Sequence, residues 1–239
     1  MKILVIAAHP DDEILGMGGT IKKYTKNGND VKIIIMATGI TSRRSTNFKS
    51  STKYNIDEKI DNGMDLQVKK IRNHGKKAAK LVGVDDIEFF DFPDNEMDLV
   101  SNLEITKKIE DVIKKFNPDK VYTHSLHDVN VDHRILYNAT LTATRPIVGC
   151  KVKEVITFEI PSSTEWYFPA SFSPNIFVNI EKELSYKIKA LKAYTTEIHD
   201  FPHPRSAKAL EIIAGRWGSV SGFKAAEAFS LVRSLNQNV

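Results

Sequence analysis

Apolar positions along the chain fall into short unbroken runs that alternate with longer segments of helical spacing. The first run lies in Lys2 to Glu13 (KILVIAAHPDDE), where an uninterrupted apolar stretch gives way to a histidine, a proline and three consecutive acids. A run rich in Ile and Val with no polar break reads as a strand buried on both faces, and such strands belong in parallel sheets covered by helices. Further strands are predicted over Val31 to Ala37, Ile87 to Phe92, Lys120 to Thr123, Val152 to Glu159 and Asn175 to Ile180. Helical spacing predicts Ile14 to Lys26, Leu66 to Leu81, Ile105 to Phe116, a helix from Asp132 to about Thr144, Glu181 to Tyr194, and a last helix over Phe223 to Ser234. Gly28 and Gly83 are natural stops for the first two. The alternation predicts an α/β fold with a mostly parallel sheet and helices on both faces.

With 239 residues and no linker or repeat, the chain is read as a single domain over 1–239. Its net charge of +4, from 34 basic and 30 acidic residues, lacks the basic stripe that nucleic-acid binding needs, and suits a small anionic substrate instead. Cys150 is alone, so no internal disulfide forms, and a reducing, cytoplasmic setting is expected. No segment approaches the roughly 20 apolar residues of a membrane span. Gly16, Gly18 and Gly19 faintly resemble a dinucleotide fingerprint, but they fall inside a helix, and the turn after the first strand is His-Pro-Asp-Asp.

His9, Asp11, Asp12 and Glu13 sit just past the carboxyl end of the first strand, where open α/β sheets place their chemistry. Carboxylates crowded beside an imidazole repel one another unless a cation sits among them, so this stretch reads as half of a metal site. His124 to Arg134 (HSLHDVNVDHR) follows the fourth strand in the same way. An imidazole from each stretch plus one carboxylate is the layout of a catalytic zinc site, and equally of an iron facial triad. Asp132 has the chemistry of an N-cap for the helix that follows. Asn95, just past the third strand, and Asn130 are candidates for substrate contact, and the polar segment from Ile40 to Met64 carries Arg43 and Arg44 at its root, where a guanidinium can hold a phosphate or sugar hydroxyls or simply face water.

AHPDDE at Ala8 to Glu13, followed about 120 residues later by DHR at Asp132 to Arg134, resembles the LmbE-like (PIG-L) family of zinc-dependent N-deacetylases, and FEIPSSTEW at Phe158 to Trp166 and AEAF at Ala226 to Phe229 resemble other blocks of its members. The resemblance implies a Rossmann-like fold, Zn²⁺ held by His9, Asp12 and His133, Asp11 as general base, and an N-acetylated amino sugar or its conjugate as substrate. Physical reasoning runs alongside it. Successive side chains in an extended turn point apart, which frees Asp11 from the ion that Asp12 binds. Asp132, beside His133, is placed to orient an imidazole. Many members carry a histidine where this chain has Asn130, and an amide cannot deliver a proton at neutral pH. His127, or less favourably His124, is the candidate substitute. A metal-stabilised binding protein without hydrolase activity is the non-enzymatic alternative that Asn130 raises. A homo-oligomer is compatible with all of this. Trp166, just past a strand end, reads as a core tryptophan or as a ring that stacks on a sugar face, and His203, Arg205 and Arg216 read as surface charge.

Overall fold

Side chains of the first strand divide strictly between two cores. Ile3, Val5 and Ala7 join one buried cluster while Leu4, Ile6 and Ala8 join another, so the strand is covered from both sides. The computed structural model describes residues 1–40, 42, 64–169 and 172–236. Its elements are β1 (Lys2–Ala7), α1 (Asp12–Lys26), β2 (Asp30–Ala37), α2 (Met64–Val82), β3 (Asp86–Phe92), α3 (Asn102–Phe116), β4 (Lys120–His124), α4 (Val131–Ala143), β5 (Glu154–Phe158), β6 (Ile176–Asn179), α5 (Leu184–Ala193), α6 (Ala207–Ser221) and β7 (Ala226–Ser234). Among these residues seven strands form one sheet in the order β3-β2-β1-β4-β5-β7-β6.

Strands β1 to β5 pair in parallel, and β7 runs antiparallel to both β5 and β6. Helices α1, α2 and α5 contribute to the cluster on one face, and α3 and α4 to that on the other. The α/β, mostly parallel architecture expected from the sequence is therefore the one observed. From β1 the chain steps outward through β2 to β3, then returns to place β4 on the other side of β1. That reversal opens a crevice at the carboxyl ends of β1 and β4.

One expectation at the C-terminal end is corrected, and one helix is added. The segment assigned to a last helix is β7, whose Phe229 stands opposite Phe158 on one side and Ile176 on the other. Ala-Glu-Ala favours a helix locally, but ladder hydrogen bonds to two neighbours override that preference. The helix of this region is α6 instead, capped where the Ser206 hydroxyl accepts from Ala209 N at 3.1 Å and burying Leu210, Ala214 and Trp217. Its Ser cap and three-to-four-residue spacing were present in the sequence.

The glycines of α1 serve packing. A Cβ on Gly16 would stand 2.5 Å from the Phe158 ring, and one on Gly19 would stand 2.9 Å from Ile180. The helix breaks at Met17 (φ −148°, ψ 23°), and the backbone N–H groups of Gly19 and Thr20 donate to Glu227 at 3.0 and 2.6 Å. Lys187 pairs with the same carboxylate at 2.6 Å and donates to Leu15 O at 2.8 Å, so a buried ion pair bridges the break. No helix of the described residues is long and apolar enough to cross a membrane.

Candidate metal centre

The ends of β1 and β4 are tied together at the crevice. Ala8 N donates to His124 Nε2 at 2.8 Å, which fixes that ring nitrogen as an acceptor. Just beyond, Asp11 turns the chain with a left-handed backbone (φ 104°, ψ −24°), and α1 starts at Asp12. The three adjacent acids then go three ways. Asp12 Oδ2 accepts from His9 N at 2.8 Å and faces the histidines. Glu13 accepts from the Tyr194 hydroxyl at 2.6 Å and from Asp11 N at 3.2 Å, and its burial raises it to about 7. Asp11 meets Arg205.

Three donor atoms close a triangle. His9 Nδ1 lies 3.2 Å from Asp12 Oδ2, His133 Nε2 lies 3.2 Å from the same oxygen, and the two nitrogens are 3.3 Å apart. Ligands of a tetrahedral zinc ion at about 2.1 Å stand roughly 3.4 Å from one another, so the spacing fits such an ion. Each imidazole is also held from behind. His9 Nε2 is 3.0 Å from Asp132 Oδ2 and 3.1 Å from Asp94 Oδ1, while His133 Nδ1 is 3.0 Å from Asp128 Oδ2. A neutral imidazole has one lone pair, and a proton bonded to a carboxylate at one nitrogen leaves that pair at the other, facing the triangle. His9, Asp94 and Asp132 also lie close together, and with the His9 proton on Nε2 these two carboxylates back the ring that faces the triangle.

The electrostatics agree. Burial works against a protonated His9, yet Asp94, Asp12 and Asp132 outweigh it and hold the ring well above its ordinary value. In His133 burial is likewise outweighed, by Asp12 and Asp128, and the value rises to about 9. Burial would raise Asp12, but His133 and His9 pull it well below the usual carboxylate range. A site that favours positive charge on two facing imidazoles favours a cation between them. His124 differs: buried, and stacked on His133 with ring centres 3.9 Å apart, it is pushed well below its ordinary value by desolvation and then by its neighbour's charge.

Asp132 is not the N-cap. Asn130 caps α4, its Oδ1 accepting from Asp132 N at 2.9 Å, which leaves the Asp132 carboxylate to accept from Asn95 N at 2.7 Å and Met97 N at 3.0 Å as it holds His9. Asn130 Nδ2 donates to Asn95 Oδ1 at 2.9 Å, so these two candidate substrate residues are linked to each other. His127 is exposed at the rim, its ring 5.9 Å from that of Tyr167. Arg43 and Arg44 lie outside the described residues.

Arg205 and Trp166 overturn their expected places. Arg205 Nη1 donates to Asp11 Oδ2 at 3.1 Å and Nε donates to Ser162 Oγ at 2.8 Å, so this residue belongs to the site and not to the outer surface. Trp166 is 48% exposed, and the tryptophan of the core is Trp217, bonded to Glu159. Asp94 and Asp128 were also missed as supports. Asp128 is fastened by Ser163 Oγ at 2.9 Å and Thr164 Oγ1 at 2.7 Å, and Asp94 by Ser42 Oγ at 2.7 Å. Their one sequence signal is an acid placed just past the end of a strand.

The PIG-L family model, described as GlcNAc-PI de-N-acetylase, matches residues 4–144. A diacetylchitobiose deacetylase of Thermococcus kodakarensis is 28% identical over 239 aligned residues, which take in 97% of this chain and 83% of that protein. Among solved structures, N,N'-diacetylchitobiose deacetylase from Pyrococcus horikoshii in complex with its inhibitor superposes with a TM-score of 0.74 at 22% identity, covering 97% of this chain and 84% of the other. The 4-carboxy-2-hydroxymuconate hydratase of Pseudomonas putida superposes with a TM-score of 0.72 at 19% identity, over 100% and 99% of the two chains. Those likenesses establish a shared fold, and a fold hosts more than one reaction. The family match is the firmer bond, since it covers more than half of the sequence and contains all three corners of the triangle: the chain belongs to the PIG-L, GlcNAc-PI de-N-acetylase, family.

Proposed function

We propose that this protein is a zinc-dependent deacetylase that hydrolyses the N-acetyl amide of a small amino sugar or amino-sugar conjugate. The observation that carries the proposal is the triangle of His9 Nδ1, Asp12 Oδ2 and His133 Nε2, in which each imidazole is backed by a carboxylate. Three protein ligands leave a position open, as catalytic zinc sites require. Zinc, when bound, supplies Lewis acidity that polarises an amide carbonyl and makes water a better nucleophile at neutral pH.

The chain's own groups then divide the work. Asp11 is buried, its Oδ2 taken by Arg205 and its Oδ1 without a partner, which leaves one oxygen to receive a proton from the attacking water. Desolvation pushes this carboxyl well above its usual range against the pull of Arg205, with Asp12 adding to the rise. Asp132, Asp94 and Asp128 keep the two imidazoles oriented. Asn130 is occupied as a cap and cannot protonate a leaving amine, so we assign that proton to His127 at the rim. Asn95, Arg43 and Arg44 are assigned to substrate hydroxyl or anionic groups. A reducing, cytoplasmic location accords with the lone cysteine.

The relatives' printed substrates support an amino sugar, while the hydratase with the same fold and the iron-compatible donor set mark the readings to separate. The test is acetate release from a panel of N-acetylated amino sugars, run on metal-stripped protein with zinc or iron(II) restored. Acetate released with zinc supports the proposal. Turnover restored by iron alone, or binding of every sugar without acetate, contradicts it.

A further inference from the structure

Four described non-glycine residues have left-handed backbones, and two of them, Asp11 (φ 104°) and Ser162 (φ 89°), are the two hydrogen-bond partners of the Arg205 guanidinium. Such conformations are costly for non-glycine residues and persist where the surroundings over-determine them. Here the chain arrives at one guanidinium from three separate places: the turn after β1, the loop after β5, and the segment before α6. The guanidinium itself is well anchored. Arg205 N donates to His203 Nδ1 at 3.1 Å, Arg205 O accepts from His199 N at 3.2 Å, and the next residue is the cap of α6.

Asp11 needs this anchor more than an ordinary carboxylate would. Asp12 and Glu13 follow it directly, and Glu197 Oε2 lies 3.6 Å from the same Arg205 nitrogen, so Arg205 is the fixed cation among several buried acids. Its planar fork spans two partners at once, which the single ammonium of a lysine does not. With Oδ2 so engaged, Asp11 Oδ1 is buried and left without a partner, as is Asp12 Oδ1 on the neighbouring acid.

We propose that Arg205 is a positioning residue for catalysis, a clamp that fixes the Asp11 carboxylate by one oxygen, sustains the left-handed turns at Asp11 and Ser162, and presents the other oxygen for proton transfer. The kinetic part of this proposal rests on the deacetylase reading; the structural part does not.

The test compares R205A and R205K with the wild-type protein. In R205A kcat for acetate release should fall by about a hundredfold, the scale of an ångström-sized misplacement of a reacting group, with KM and zinc content close to wild type. R205K should recover part of that loss, because an ammonium reaches Asp11 but not Ser162 as well. Added guanidinium ion should raise the rate of R205A in proportion to its concentration and leave the double variant D11N/R205A unchanged, a response that a purely structural arginine would not produce. In the metal-free crystal structure of R205A, Asp11 should leave φ near 104° and its carboxylate should shift. An R205A protein with wild-type kcat, or with Asp11 unmoved, overturns the proposal, as does a kcat loss matched by zinc loss and unresponsive to guanidinium. Should R205A fail to fold, R205K carries the kinetic and crystallographic arms alone, and wild-type values there overturn it. If the wild-type protein releases no acetate from any sugar, the deacetylase reading fails, and Arg205 is judged on the position of Asp11 alone.

Discussion

Asp128 Oδ2 lies 3.0 Å from His133 Nδ1 and, through it, sets which face of the ring meets Asp12. Removing that carboxylate frees the ring to turn and to change tautomer. In Asp128→Ala zinc affinity should fall by about 10–100-fold, the usual cost of losing a carboxylate behind a metal-bound histidine. Competition against a chromophoric chelator measures it. Affinity equal to wild type would mean that Ser163 Oγ, 3.3 Å from the same nitrogen, and packing against His124 suffice to orient His133.

His127 carries the assignment that geometry constrains least, because it stands at the rim against Tyr167. If it protonates the leaving amine while Asp11 must be ionised, the rate has a bell-shaped pH profile, and His127→Gln should remove or move the basic limb. A limb that persists unchanged in this variant removes His127 from this role. Asn130→His adds the reciprocal measurement: restoring an imidazole there should raise the rate if proton delivery is limiting, at the expense of the α4 cap.

Much of this was legible in the sequence because strand ends and apolar runs are local signals. The unbroken run before His9 fixed β1 as a doubly covered strand, and HPDDE and VDHR fell at neighbouring strand ends, as the switch in strand order requires. What escaped was set by contacts between distant segments. Asp94 and Asp128 look like ordinary loop acids until β3, β4 and β5 bring them behind two histidines. Arg205 reads as surface charge because its hydrogen-bonded carboxylate, Asp11, lies 194 residues away. β7 reads as a helix since Ala, Glu and Leu suit one, and only pairing with β5 and β6 makes a strand of them.

Glu227 bridges the broken turn of α1 and neutralises Lys187, and both residues are buried. In Glu227→Ala a lysine is left buried without its counter-charge and two backbone N–H groups lose their acceptor. Stability should drop by about 3–5 kcal/mol, as found when one member of a buried pair is removed. Denaturant unfolding checks this. A loss below about 1 kcal/mol would show that water or a rearranged α1 replaces the carboxylate.

Glu159 offers a pH test away from the candidate metal centre. Burial raises it to about 7, partly opposed by its bond from Trp217 Nε1. A folded-state value above the unfolded one means that the native chain holds the extra proton. Its contribution to stability is therefore complete below about pH 4.5 and is lost as pH climbs through 7. Glu159→Gln, which keeps an acceptor for Trp217, should lack that decline, so its stability relative to wild type should improve from pH 5 to pH 8. An equal difference at both pH values would place the ionisation elsewhere.

The most direct measurement pairs zinc stoichiometry with acetate release in the wild-type protein and in single variants of the four acidic and histidine residues at the centre. His9→Ala, Asp12→Ala and His133→Ala should each purify without stoichiometric zinc and without activity, because two protein ligands hold the ion too weakly against water. Asp11→Asn should keep its zinc and lose about a hundredfold or more in turnover, the scale of a missing general base. Full zinc content in any of the three alanine variants, or acetate release by Asp11→Asn at the wild-type rate, would contradict the assignment of this site.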